Sequence, residues 1–89
     1  MNILTDIKFW KSNLHFLNKI GGEAAHKKRE YEIKIEDKDF YLEFMKKEGF
    51  DNDENYRVEA EFHKLQTIGM KKAMKRVKDN IEKFKQIEA

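Results

Sequence analysis

The chain has no cysteine and no proline, and only four of its 89 residues are glycine. Without cysteine there is no disulfide framework and no thiolate chemistry. Without proline, and with so little glycine, a collagen-like or Gly/Pro-rich disordered chain is excluded. No apolar run approaches the ~18 residues that a membrane span needs, so no contact with the membrane interior is expected. The start of the chain lacks a basic stretch leading into an apolar one, so nothing suggests secretion and a cytoplasmic location is expected. Hydroxyls are scarce: Ser12, Thr5 and Thr67 are the only serine and threonine side chains. No nucleophile–base pair and no Gly-rich phosphate loop can be read, so no catalytic residue is assigned, no cofactor is implied and a non-enzymatic protein is expected.

What the chain has is charge and aromatic bulk. Charged residues make up 40% of it, with 19 Lys and Arg against 17 Asp and Glu, a formal net charge of +2. Seven Phe, three Tyr and one Trp are too many aromatics for a disordered chain. The length suits one domain, 1–89, with a single core. A homodimer would bury more apolar surface than one small core can.

Five elements can be read along the chain. Residues 5–20 predict a helix, with Thr5 as N-cap and Asp6 in the positive first turn. Ile7, Trp10, Leu14 and Leu17 recur at three and four residues, and Phe9, Phe16 and Ile20 widen the stripe. Gly21-Gly22 ends it. Residues 30–36 and 40–46 fit period two, with Tyr31, Ile33 and Ile35, then Phe40, Leu42 and Phe44, on the apolar phase. Asp37-Lys38-Asp39 separates them, so the segment predicts a β-hairpin. Residues 56–63 fit the same period through Tyr56, Val58, Ala60 and Phe62. Residues 67–87 predict a second helix, with Thr67 as N-cap and Met70, Met74, Val77, Ile81 and Phe84 on one face. Gly69 in its first turn is unfavourable by ~1 kcal/mol relative to Ala, which argues for a start at Met70. The expected fold is therefore α+β, in the order α-β-β-β-α: a three-stranded antiparallel sheet with two helices packed on one face.

Charge is sorted along the chain. Residues 1–29 hold six basic and two acidic side chains, residues 30–61 five and twelve, and residues 62–89 eight and three. On a sheet covered by two helices, this gives an acidic open face and a basic back. Unlike charges on neighbouring elements also solubilise a surface without any further role.

Metal chemistry finds little support. Asp51-Asn52-Asp53-Glu54-Asn55 matches the opening ligand positions of a calcium loop, but Tyr56 and Phe62 stand where the turn glycine and the bidentate glutamate belong. His15, His26 and His63 have no metal-ligand spacing, so no metal site is assigned.

Gly69-Met70-Lys71-Lys72-Ala73-Met74-Lys75 resembles the KKxxK start of the last helix in double-stranded RNA-binding domains, a family that shares the α-β-β-β-α order. The resemblance implies phosphate contacts from Lys71, Lys72 and Lys75. Arg76 and Lys78 extend the same basic pole, and nucleic acid is the partner of this alternative reading. The loop acids Asp51, Asp53 and Glu54 depart from that family's pattern, since they repel phosphate.

In size, in lacking Cys and Pro, and in acidic segments such as YEIKIEDKDFYLEFM and DNDENYRVEAEF, the chain is also similar in general character to small phage or mobile-element inhibitors of anti-CRISPR type. That resemblance implies an acidic surface that occupies a basic nucleic-acid-handling groove of a partner, either a basic protein or a protein–nucleic acid complex. On the predicted sheet, Glu32, Glu36, Glu43, Glu59 and Glu61 take the outward phase. Asp37, Asp39, Asp51, Asp53 and Glu54 extend the negative field at the loop ends. Tyr41 shares the outward phase and would be the aromatic anchor. This acidic-face reading is the leading expectation from sequence.

Overall fold

Helical periodicity, not alternation, organises the chain. The computed structural model describes residues 3–21, 33–50 and 55–88. Within them lie four helices: α1 (Ile3–Ile20), α2 (Asp37–Lys47), α3 (Asn55–Ile68) and α4 (Met70–Glu88). No strand occurs among the described residues, so the expected α+β fold with its three-stranded sheet is corrected to an all-helical one. No helix is long and apolar enough to cross a membrane.

The predicted hairpin and third strand fail for a definite reason. In α2 the deeply buried positions are Asp37, Tyr41 and Met45, four residues apart. Phe44 and Leu42 pack half-buried beside that line, whereas Phe40 and Ile35 are exposed. The Phe40–Leu42–Phe44 alternation is thus the edge of a helical stripe seen over too short a window. Asp37-Lys38-Asp39, read as a β-turn, is the first turn of α2. The Asp37 carboxylate accepts a hydrogen bond from the Lys34 backbone N–H at 2.8 Å and so fixes the entry to the helix. In α3 the buried set is Val58, Glu61, Phe62 and Leu65, spaced three, one and three, which only a helix brings to one side. Ala60, assigned to the inner face of the sheet, is exposed. The Glu30–Glu32 part of the first predicted strand, with Tyr31, lies outside the described residues.

Glycine sets two helix ends. Gly49 has φ +97°, and the Gly49 and Phe50 N–H groups donate to the carbonyls of Lys46 and Met45 at 3.0 and 2.9 Å. This is a Schellman closure of α2, and it turns Phe50 back into the core. Gly69, at φ +82°, is the single residue between α3 and α4. Its N–H donates to the Leu65 carbonyl and its own carbonyl accepts from Ala73 N–H, so it ends one helix and opens the next. α4 accordingly begins at Met70. Thr67, expected to cap that helix, instead lies in the last turn of α3, where its hydroxyl donates to the His63 carbonyl at 2.8 Å. Thr5 lies inside α1, not at its cap.

The helices run up and down in a ring. α1 packs on α2 and α4, and α3 packs on α2 and α4. Phe16 meets Tyr41 while Phe9 meets Phe50, so α1 and α2 are antiparallel. Arg57, at the start of α3, lies over Phe9, beside the end of α2. Met70 stands against Gly21 and Arg76 over Trp10, so α4 runs back along α1. The core is an aromatic column of Phe9, Trp10, Phe16, Tyr41, Phe50 and Phe62, closed by Leu17, Met45, Leu65, Val77 and Ile81.

Two substitutions separate this packing from the sheet. Leu65→Ala should cost about 2–5 kcal/mol through transfer and cavity terms, whereas Ile35→Ala, at an exposed position, should stay within about 0.5 kcal/mol. The sheet reverses that order. Urea unfolding of both variants decides between them.

Candidate functional site

Three polar pairs join the helices of the ring. The Tyr41 hydroxyl donates to Asn13 Oδ1 at 2.6 Å, and Asn13 Nδ2 donates to the Phe9 carbonyl at 2.9 Å. Arg76 donates from Nε and Nη2 to the two carboxylate oxygens of Glu61, both at 3.0 Å. Its guanidinium also lies 5.2 Å from the Trp10 ring centre. Arg57 Nη1 lies 2.9 Å from Asp6 Oδ1, a close charge pair whose N–H is not aimed along the hydrogen-bond line, with the guanidinium 3.9 Å above the Phe9 ring. Trp10 Nε1 is buried with no hydrogen-bond partner among the described residues. Burial pushes the Tyr41 phenol well above its ordinary range, and the nearby Glu61 charge pushes it further. The Glu61 hydrogen bonds hold Arg76 firmly protonated.

This arrangement corrects three of the expected partner contacts. Tyr41, expected as an outward aromatic anchor, is fully buried because its position falls on the inner line of α2. Glu61 is buried and neutralised by Arg76. Asp37 is buried at the entry to α2. Glu59 is half-buried on α3, and Glu36, Asp39 and Glu43 are exposed on one side of α2. Glu32, Asp51, Asp53 and Glu54 lie outside the described residues, as do His26 and the calcium-like run before Asn55. α2 carries Asp37 and Asp39 in its first turn and Lys46 and Lys47 in its last. That order complements the helix dipole, so a structural cause accounts for much of the acidic clustering.

The basic side chains gather elsewhere. α1 and α4 together carry ten Lys and Arg against four Asp and Glu, whereas α2 and α3 carry five against five. On α4, Lys71, Lys72, Lys75, Lys78, Lys83 and Lys85 are all exposed. Lys75 pairs with Asp79 at 2.8 Å. Lys71, Lys78 and Lys85 recur every seven residues on the edge of α4 opposite Arg76. At a 1.5 Å rise, each step in that row is ~10.5 Å. Lys8, Lys11 and Lys19 are exposed on α1, where Lys8 lies over the Phe50 ring at 5.5 Å, beside the end of α2 and away from α4. Of the expected basic set, Lys71, Lys72 and Lys78 thus stand free on the surface, Lys75 is ion-paired, and Arg76 is turned inward.

Sequence reading missed Lys83 and Lys85. A wheel drawn for the whole of α4 would have found Lys85, because it continues the heptad row. An open groove of about 380 Å³ runs along α1 past Leu4, Ile7, Lys8, Lys11, Ser12 and His15. Glu48 stands at its side, 3.9 Å from His15 Nδ1, and a carboxylate there works against holding an anion. No three His, Cys, Asp or Glu side chains among the described residues are grouped so as to hold a metal ion. No family model, no curated protein and no solved structure matches the chain.

The Tyr41 burial gives a test of the polar centre. The folded state holds the phenolic proton more tightly than the unfolded chain, whose phenol titrates near 10. Its contribution to stability is therefore complete below pH 10. It is lost as pH rises beyond that point, at up to about 1.4 kcal/mol per pH unit. Tyr41→Phe should lower stability at pH 7 by about 1–3 kcal/mol, since Asn13 Oδ1 loses its donor. The gap between wild type and Tyr41→Phe in urea unfolding should then narrow from pH 10 to 11. A gap that stays constant over that interval would show Tyr41 to be solvated.

Proposed function

We propose that this chain is a nucleic-acid-binding protein that meets phosphates with the lysine flank of α4. One observation carries the reading. Lys71, Lys72, Lys78, Lys83 and Lys85 are exposed on α4 and have no carboxylate partner among the described residues. The outer side of α4 also carries Asp79 and Glu82, but its basic residues outnumber its acids, whereas α2 and α3 together balance theirs. Lys71 and Lys72 also stand in the first turn of α4, where the helix dipole disfavours cations and no acidic residue offsets them. A phosphate group relieves both costs at once. The KKxxK pentad supports the same reading by resemblance. The shared element order does not, because the sheet it requires is absent among the described residues.

Binding of this kind is driven by counterion release. With about four phosphate contacts, affinity for duplex should fall roughly 100-fold between 50 and 200 mM salt. Fluorescence anisotropy with a labelled 20-base-pair duplex measures it. Replacing Lys71, Lys78 and Lys85 together by Gln should flatten the log–log salt slope by about 2.7, from three lost contacts. Binding that does not respond to salt, or no binding at 50 mM salt, would sink the proposal.

A second reading rests on the outer side of α2. Phe40 is 40% exposed, yet its ring is held 5.6 Å from Phe16 and 6.1 Å from Phe44, beside Glu36, Asp39 and Glu43. This is an ordered aromatic next to a negative stripe, and it suits a basic protein surface of the sort an anti-CRISPR-like inhibitor would occupy. The test is capture of a host protein from nuclease-treated lysate by immobilised chain. Phe40→Ala combined with Glu43→Lys should abolish that capture, and undiminished recovery would remove this reading.

A further inference from the structure

We infer that the nucleic acid taken by the lysine flank is a duplex, held by its backbone without regard to sequence; this rests on the reading above and narrows its substrate. The argument is an inventory of what the flank presents. Base-specific reading in the major groove leans on arginine, whose fork matches two acceptors of guanine, and on asparagine or glutamine against adenine. Both described arginines are spent inside the ring: Arg76 is bidentate to Glu61, and Arg57 is set between Asp6 and the Phe9 ring. Of the amides, Asn13 is buried on Tyr41 and Phe9, and the exposed ones, Asn18 and Gln86, stand in the last turns of α1 and α4, away from the lysines that open α4. The exposed cations of α1 and α4 are lysines, point charges that suit phosphate oxygens.

Single-strand binding needs a second feature, aromatic faces on which unpaired bases stack. α1 has Phe9, Trp10 and Phe16, all buried. The one aromatic of α4, Phe84, packs against the core with Lys83 over its ring at 5.7 Å. The exposed rings Phe40 and Tyr56 belong to α2 and α3. A surface that offers charge alone prefers the target with more charge per length. A duplex carries one charge per ~1.7 Å, and each contact releases ~0.9 counterions against ~0.7 on a single strand. The row from Lys71 to Lys85 spans ~21 Å on a straight helix, about six base pairs of duplex. A rigid row of that length meets a stiff duplex with little ordering cost, whereas a flexible strand must be straightened to follow it.

The test uses the full chain and four labelled probes: two 20-base-pair duplexes, one rich in G·C and one in A·T, and one strand of each. Anisotropy titrations at 100 mM salt should give duplex binding at least ten-fold tighter than either strand. The two duplexes should agree within about two-fold. A strand bound as tightly as its duplex, or a ten-fold preference between the duplexes, overturns this inference while leaving nucleic-acid binding intact. Failure of all four probes to bind at 50 mM salt overturns the underlying reading as well.

Discussion

Arg76 is the residue on which the arrangement turns. It sits on α4, bonds both carboxylate oxygens of Glu61 on α3, and lies over Trp10 of α1. Three helices are thereby fixed against one another by a single planar cation. Glu61 is buried while Arg76 keeps 31% of its side chain exposed, so removing Arg76 strands the carboxylate, at a cost of about 1–3 kcal/mol. A rotation or slip of α4 that broke the pair would be as unfavourable. Because Arg76 is pinned inward, the helical repeat leaves no freedom for Lys71, Lys78 and Lys85: they face the opposite edge. The inward pair therefore dictates the outward row.

The distribution of charge follows from two different causes. On α2, acids at the start and lysines at the end match the helix dipole and serve the helix itself. On α4 the order is reversed at the start, where Lys71 and Lys72 oppose the dipole with no acid to offset them. A chain selected only for helix stability would not keep that order. The contrast between two helices of one molecule separates charge that folding explains from charge that folding leaves unexplained.

How far the fold was legible depended on window length. α1 and α4 were readable because Ile7, Trp10, Leu14 and Leu17, and Met70, Met74, Val77 and Ile81, hold the 3.6 period over about three turns. α2 and α3 were not, because Phe40–Leu42–Phe44 and Val58–Ala60–Phe62 satisfy period two over five residues. The deciding signals lay just outside those windows. Leu65 has no place in the strand phase of 56–63, and residues 37–47 contain no β-branched side chain at all. The surface was legible in part for the same reason. Lys71, Lys72 and Lys78 sit on a helix that was read correctly. The inward turn of Arg76 depends on Glu61, which reaches it only once α3 is a helix. Tyr41 changed sides because a helix and a strand place the same residue on different faces.

Trp10 is the only tryptophan in the chain, and it is buried where α1 meets α4 beneath the Arg76 guanidinium. The ring of helices closes at that junction, joining elements far apart in sequence. An indole shielded there emits to the blue of one in water, so the molecule carries an unlabelled optical gauge at its closing seam. Its emission registers whether α1 and α4 are docked. No dye or added fluorophore is needed to follow the closing of that seam.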